Sequence, residues 1–203
     1  MSRVPFTLLV DPAQLAEVER LLAAVPGGVD RVLVTSVNSV STTGRKEIVR
    51  EMSRKLTLKQ KRVREGTALR RATRQRLEAV ITVSGRRIML IEFSARQTRR
   101  GVTYQIERSQ GRKLLPSGFI ARGRAIRGTV GGGRPMPELV WKRAGKPRLP
   151  IFPKRGPSLP VAFERADELQ TKVMGGMSDL LERRVWQKVN WLLERGPAGK
   201  AAS

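Results

Sequence analysis

The stretch "LEAVITVSGRRIMLIEF", residues 77–93, decides the fold class. Its first half sets Leu77, Ala79, Ile81 and Val83 on alternate positions, which makes one face of an extended strand apolar. Its second half is nearly all apolar, as a strand covered on both faces would be. Before residue 77 the apolar period is helical; beyond it the period falls to two. "GVTYQIE" alternates through Val102, Tyr104 and Ile106, and "LLPSGFIARG" and "ELVWKRAG" complete a set of about five short strands. The basic run "RQTRRG" lies between two of them and reads as a hairpin tip or, equally, as a contact for a partner. "IRGTVGGGRPMP" reads as a flexible glycine-rich loop. It lacks the Gly-Lys-Ser/Thr ending of a phosphate loop and runs into Pro135 and Pro137 rather than a helix.

Towards the N-terminus, "VPFTLLV" reads as a short strand. "DPAQLAEVERLLAAVPGG" follows as a helix, with Asp11 at the N-cap, Pro12 in the first turn and a stop at Pro26, Gly27 and Gly28. From Asp30 to about Leu56, Leu33, Val37, Val40, Ile48 and Met52 keep a drifting helical period. Ser36, Ser39 and Gly44 lie between them, so this long helix has a face of small residues that a neighbour can approach. Thr57 is the expected cap of a short helix, "LKQKRVREG", ended by Gly66. Towards the C-terminus, Phe163, Ala166, Leu169, Val173 and Met177 resume helical spacing. Gly175 and Gly176 are expected to break or bend that helix, and Ser178 and Asp179 to cap a last one that buries Leu181, Val185, Val189 and Leu192.

The class is α+β: N-terminal helices including one long helix, a central antiparallel sheet of about five short strands, an extended proline-rich arm and C-terminal helices. The segments are 1–76, 77–145, 146–162 and 163–195, with 196–203 a disordered tail.

Charge narrows the function. Lys and Arg number 41 against 17 acidic residues, a net charge of +24 on 203 residues. An anionic neighbour is expected: nucleic acid, a membrane surface or an acidic protein. The densest cationic stretch holds Arg54, Lys55, Lys59, Lys61, Arg62, Arg64, Arg70, Arg71, Arg74 and Arg76, against Glu65 alone. Such residues lining a groove or channel would attract phosphates through counterion release. The same residues also suit a solvated helix face or a contact with an acidic protein. No aromatic platform accompanies them, which argues against a groove for single strands. Trp186 and Trp191 lie on a basic amphipathic helix, which suits core packing or a subunit contact better than a membrane surface.

Chemistry is poorly served. With no histidine and no cysteine, the usual general base, the usual zinc ligand, disulfides and thiolate sites are all missing. Asp11, Asp30 and Asp179 sit at helix starts, where capping accounts for them, and Glu78, Glu92 and Glu107 fall on separate strands, where solvated or Arg-paired positions suit them better than a cluster across a sheet. There is no nucleophile elbow. No enzyme, cofactor or metal site is expected. No apolar run approaches the roughly 20 residues that span a bilayer, and "MSRVPFTLLVDP" lacks the form of a signal peptide.

Taken in order, several segments resemble one family, the minor tail protein Z or tail completion proteins of long-tailed bacteriophages. "SVNSVSTTGRKEIVREMSRKLTLKQKRVREGTALRRAT" is similar to the family's long helix and basic turn, and "LEAVITVSGRRIMLIEF" to its first strand pair. "LPSGFIA" resembles its short P-x-G/A-F-I strand. "VWKRAGKPRLPI" with "GPSLPVAF" resembles its R-x-G-K-x-R-x-P-I segment and the proline-rich run into the C-terminal helices. The resemblance covers roughly residues 25–195, and "SRVPFTLLVDPAQ" has no counterpart in it. It implies a structural virion protein at the head-proximal end of the tail, needed for joining tail to head and for placing the genome end. It brings no catalytic residues. The partners implied are the chain itself as a ring (a hexamer, by analogy with a six-fold tail tube), tail terminator or tube and neck proteins, and genomic DNA in the lumen. A free nucleic-acid-binding protein, ribosome-associated or for packaging, is the alternative.

"RLPIFPKRGPSLPVAF", residues 148–163, combines prolines with the large apolar residues Leu149, Ile151, Phe152, Leu159 and Phe163. Its prolines favour an extended, pre-ordered arm, so docking it costs less entropy than ordering a flexible linker. The arm is expected to pack along the chain's own sheet or on a neighbouring subunit.

Overall fold

A computed structural model describes residues 3–8, 10–122, 137–145, 147 and 149–195. Nearly all of the glycine-rich loop and the 196–203 tail lie outside the described residues. In chain order the elements are β1 (Arg3–Leu8), α1 (Pro12–Leu21), α2 (Gly28–Lys55), α3 (Gln60–Glu65), β2 (Thr67–Arg70), β3 (Ala79–Ser84), β4 (Arg96–Thr98), β5 (Gly101–Tyr104), β6 (Lys113–Pro116), β7 (Gly118–Arg122), β8 (Glu138–Arg143), β9 (Ile151–Pro153), α4 (Leu159–Glu164) and α5 (Asp167–Arg195).

Helices and small antiparallel sheets make up the fold, but the strands do not share one sheet. Among the described residues they form three sheets of three strands, ordered β1-β3-β2, β4-β5-β6 and β7-β8-β9. One reason lies in "LLPSGFIARG", which breaks into two strands at Ser117, where φ is 58°. A left-handed residue there turns the chain out of one ladder and into the next. The chain divides into two compact units. Among the described residues one takes 50–66 and 85–162, the other 3–49, 67–84 and 163–195.

In the second of these units, Asp11 caps α1 by accepting the Ala13 N–H at 3.0 Å, with Pro12 beginning the helix. Gly27, at φ 66°, makes the turn into α2. Val32, Leu33, Val37, Val40 and Ile48 of α2 are buried, as are Val173, Met177, Leu181, Val185 and Val189 of α5. The two helices run antiparallel in contact: Ser36 Oγ donates to the Arg184 carbonyl at 3.3 Å, and Gly44 lies under Met177, where a Cβ would collide with the thioether. The small face of α2 therefore does receive a neighbour, through Ser36, Ser41 and Gly44; Ser39 points outward. α5 is continuous through Gly175 and Gly176, so neither a break nor a cap at Ser178 and Asp179 occurs. Buried Val173, Met177 and Leu181 flank the glycines and hold the turn between them. In the sheet, Ala79, Ile81 and Val83 of the central strand β3 face the core. Phe6 of β1 meets Phe163 edge-on, with ring centroids 5.0 Å apart at 82°.

In the other unit, Met52, Leu56, Leu58, Val63, Ile88, Leu90, Phe93 and Val102 are buried. "RIMLIEF" is apolar because it is covered, but it is not a regular strand: residues 88–90 make irregular ladder bonds and Leu90–Glu92 is a 3-10 turn. Its ladder partner is the proline-rich arm. Ile88 N–H donates to the Pro157 carbonyl at 3.3 Å, Gly156 N–H to the Ile88 carbonyl at 2.8 Å and Leu90 N–H to the Lys154 carbonyl at 3.0 Å. Just before this, β9 pairs with β8 through Trp141↔Pro153, Lys142↔Phe152 and Arg143↔Ile151. Gly156 passes so close to the buried Phe93 ring that a Cβ would sit 2.5 Å from it. Residues 151–157 thus run along their own chain, with more backbone pairing than their prolines lead one to expect, and the segment is not extended throughout: Leu159 begins the helix α4, which also holds Phe163.

Candidate functional site

The basic stretch is shared between the two units. Arg54, Lys55, Lys59, Lys61, Arg62 and Arg64 belong to one; Arg70, Arg71, Arg74 and Arg76 belong to the other.

In the first group, Thr57 does not cap α3. Its N–H donates to the Ile106 carbonyl at 3.0 Å and its hydroxyl to the Gln105 carbonyl, while Arg108 N–H donates to the Lys55 carbonyl at 2.9 Å. Lys59 takes the cap position without a side-chain bond, and Gly66 ends the helix as expected. These bonds pin the exit of α2 to residues 105–108. A cleft of about 510 Å³ opens there, lined by Thr57, Lys59, Lys61, Arg62, Glu65, Ile91, Glu92 and Ser94. Arg62 is held between two carboxylates, Nε 3.1 Å from Glu92 and Nη1 3.4 Å from Glu65. Three cations against two carboxylates make this cleft a nearly balanced surface rather than an anion trap. Arg54 pairs with Glu51 at 2.8 Å.

The second group is displayed on a tight loop after β2. Thr73 and Arg76 exchange backbone hydrogen bonds of 2.9 and 3.1 Å, which puts Arg74 and Gln75 at the tip. The loop hangs on α2: Asn38 Nδ2 donates to the Ala72 carbonyl at 3.0 Å, and Ala72 N–H donates back to Asn38 Oδ1 at 2.8 Å. Glu78 draws in two arginines, Arg70 at 2.7 Å and Arg76 at 3.6 Å. Arg71 and Arg74 are exposed and make no ion pair among the described residues. Glu78 and Glu92 are Arg-paired, one of the two roles their sequence suggests, and with Asn38, which carries no such signal in the sequence, they set which cations stay available.

The arm residues also separate. Leu149 and Phe152 are 68% and 53% exposed and Ile151 is half-buried, whereas Leu159 and Phe163 are core. Only the first three are accessible to a partner. On α5, Trp186 is half-buried, and Trp191 is exposed with Lys188 Nζ 5.5 Å from its ring centroid. No helix among the described residues is long and apolar enough to cross a membrane.

The model of one family, prophage minor tail protein Z (GPZ), matches residues 16–195, which takes in every element after α1. The chain belongs to the minor tail protein Z family. It is a structural protein of a phage tail, and its place is the virion. The family match leaves out β1, the strand that closes one edge of the β1-β3-β2 sheet. No match was found among curated proteins or among solved structures. In this minor tail protein Z, the exposed surfaces to explain are therefore Leu149–Phe152 and the exposed cations Arg71 and Arg74.

Proposed function

We propose that the chain completes the head-proximal end of the tail as a ring, joining it to the neck and letting the genome end pass or rest in its lumen. The observation that carries this reading is the arm. Leu149 stands in solvent just before, and Phe152 on, an edge strand that two prolines flank or end. Pro150 and Pro153 offer no N–H, so β9 is a poor template for adding another strand. What the edge offers a neighbour is side chain. Burying two such residues contributes about 1.5–3 kcal/mol each, repeated at every junction of a ring. The second copy of this chain is the proposed neighbour, and tail tube, terminator or neck proteins lie above and below.

Two measurements test it. Tagged protein is recovered from cells producing the phage, after nuclease and a high-salt wash, and the eluate is viewed by electron microscopy. Tails or head–tail particles tagged at one end support the reading; bare protein alone refutes it. Ile151→Ser with Phe152→Ser should abolish ring formation or tail joining while the chain still folds, and normal assembly of that variant would remove the arm from the mechanism.

A further inference from the structure

The "RQTRRG" run occupies a surface that the ring reading leaves unused. Arg99 and Arg100 form the complete connection between β4 and β5. The hairpin is stiff at that end: Thr98 Oγ1 donates to the Gly101 carbonyl at 2.8 Å, Gln97 Nε2 to the same oxygen at 3.3 Å, and Gly101, at φ 140°, lies against the Leu115 carbonyl. Register fixes the faces. Arg96, Thr103 and Leu114 share one side, with Thr98 and Pro116; Val102, which is buried, shares the other with Tyr104 and Leu115. Across the outward side lies Arg112, whose Nη2 donates to the Ser94 carbonyl at 2.6 Å and the Thr103 carbonyl at 3.1 Å. Its Nη1 finds no acceptor among the described residues.

Among the described residues no carboxylate pairs with these cations: the three strands contain no Asp or Glu, Glu107 lies in the β5–β6 connection at the opposite end of β5 from Arg99 and Arg100, and Glu92 is paired with Arg62. Arg96, Arg99 and Arg100 are exposed and make no ion pair among the described residues.

We infer that the outward face and tip of the β4-β5-β6 sheet contact the phosphate backbone of duplex nucleic acid. Guanidinium forks match phosphate geometry, and a pre-ordered hairpin holds them without the entropy cost of fixing loose side chains. A single strand is not the fit. Tyr104, the sheet's one aromatic, lies on the opposite face, so bases have no platform to stack on. The contact carries no sequence information. The inference uses the tail reading only for the source of the duplex, and binding is measured on the isolated chain, so failure of ring assembly leaves it standing.

The test is fluorescence anisotropy of the full chain with two short duplexes of unrelated sequence, titrated over a range of salt. Both duplexes should bind alike. Arg99→Ala with Arg100→Ala should flatten the slope of log affinity against log salt by about 1.8, at about 0.9 per lost phosphate contact. Arg99→Lys with Arg100→Lys should keep the slope, and Arg96→Gln alone should lower it by about 0.9. Arg183→Ala with Lys188→Ala removes the same charge from α5 and should leave the slope unchanged. Equal losses in the two alanine pairs would reduce the effect to net charge and overturn the assignment. So would tighter binding to polyglutamate than to duplex, which would give the surface to an acidic protein, or no duplex binding at all.

Discussion

Replacing Asn38 by alanine should loosen the basic loop of the α2–α5 unit, by an amount the geometry sets. Asn38 satisfies both backbone groups of Ala72, at 3.0 and 2.8 Å, and Ala72 is buried, so water is a poor substitute. A lost hydrogen bond costs about 0.5–1.5 kcal/mol, and about 1–3 kcal/mol when a buried group is left unsatisfied. Two such groups bring the loss to about 2–6 kcal/mol. Alanine recovers on the order of 0.7 kcal/mol of helix propensity within α2. The expected net destabilisation is about 1.5–5 kcal/mol. Urea unfolding followed by far-UV circular dichroism reads it as a shift in midpoint at constant m. Thr35→Ala, exposed on the same helix, is the control and should stay within about 0.5 kcal/mol. Limited trypsin digestion gives a local reading, since the freed loop exposes Arg71 and Arg74 to faster cleavage. A shift under about 0.5 kcal/mol with unchanged cleavage would refute the anchoring role of Asn38.

Phe163→Ala should cost about 3–5 kcal/mol by thermal or urea melting, and a double-mutant cycle with Phe6→Ala should show about 0.5–1.5 kcal/mol of coupling from the edge-on pair. Gly175→Ala and Gly176→Ala should each raise stability by about 0.5–1 kcal/mol, because both glycines are helical and face open space; a fall in melting temperature would mean the bundle needs their flexibility. Arg71→Glu with Arg74→Glu should lower infectious titre while leaving the melting curve unchanged, and an unaltered titre would remove this loop from assembly.

Local punctuation was legible in the sequence. Asp11 with Pro12, Gly66 after α3 and the alternation at residues 79–83 each acted where short-range chemistry placed them, whereas α1 ends at Leu21, ahead of the stop expected at Pro26, Gly27 and Gly28. Sheet membership was not legible, because it depends on partners far along the chain. β1 pairs with β3 through Arg3↔Ser84 to Leu8↔Ala79, and residues 88–90 pair with 154–157. An apolar run says that it is covered, and nothing in its period says by what. Hence "RIMLIEF" looked like a regular strand, although its cover is a proline-rich arm that can donate few ladder bonds. Gly175 and Gly176 looked like a break for the complementary reason. Their propensity cost of about 1 kcal/mol each is local and visible, whereas the burial of Val173, Met177 and Leu181 that outweighs it is not.

The charged surfaces show the same limit in a form that bears on function. Counting cations singled out Arg54–Arg76 over "RQTRRG", yet density in sequence does not measure charge left for a partner. Glu51, Glu65, Glu92 and Glu78 fold back on the dense stretch and occupy Arg54, Arg62, Arg70 and Arg76. Exposed ion pairs of this kind contribute only about 0–1 kcal/mol each to stability, but they lower the local potential that an incoming phosphate meets. The β4–β5 hairpin has fewer cations and no carboxylate among its strands, so nothing within the sheet reduces its field. If duplex nucleic acid touches this chain, charge reversal at Arg99 and Arg100 should weaken binding more than the same change at Arg70 and Arg76, each of which already has a carboxylate beside it. The reverse order would show that the ion pairs open on binding, and that the dense stretch is the contact after all.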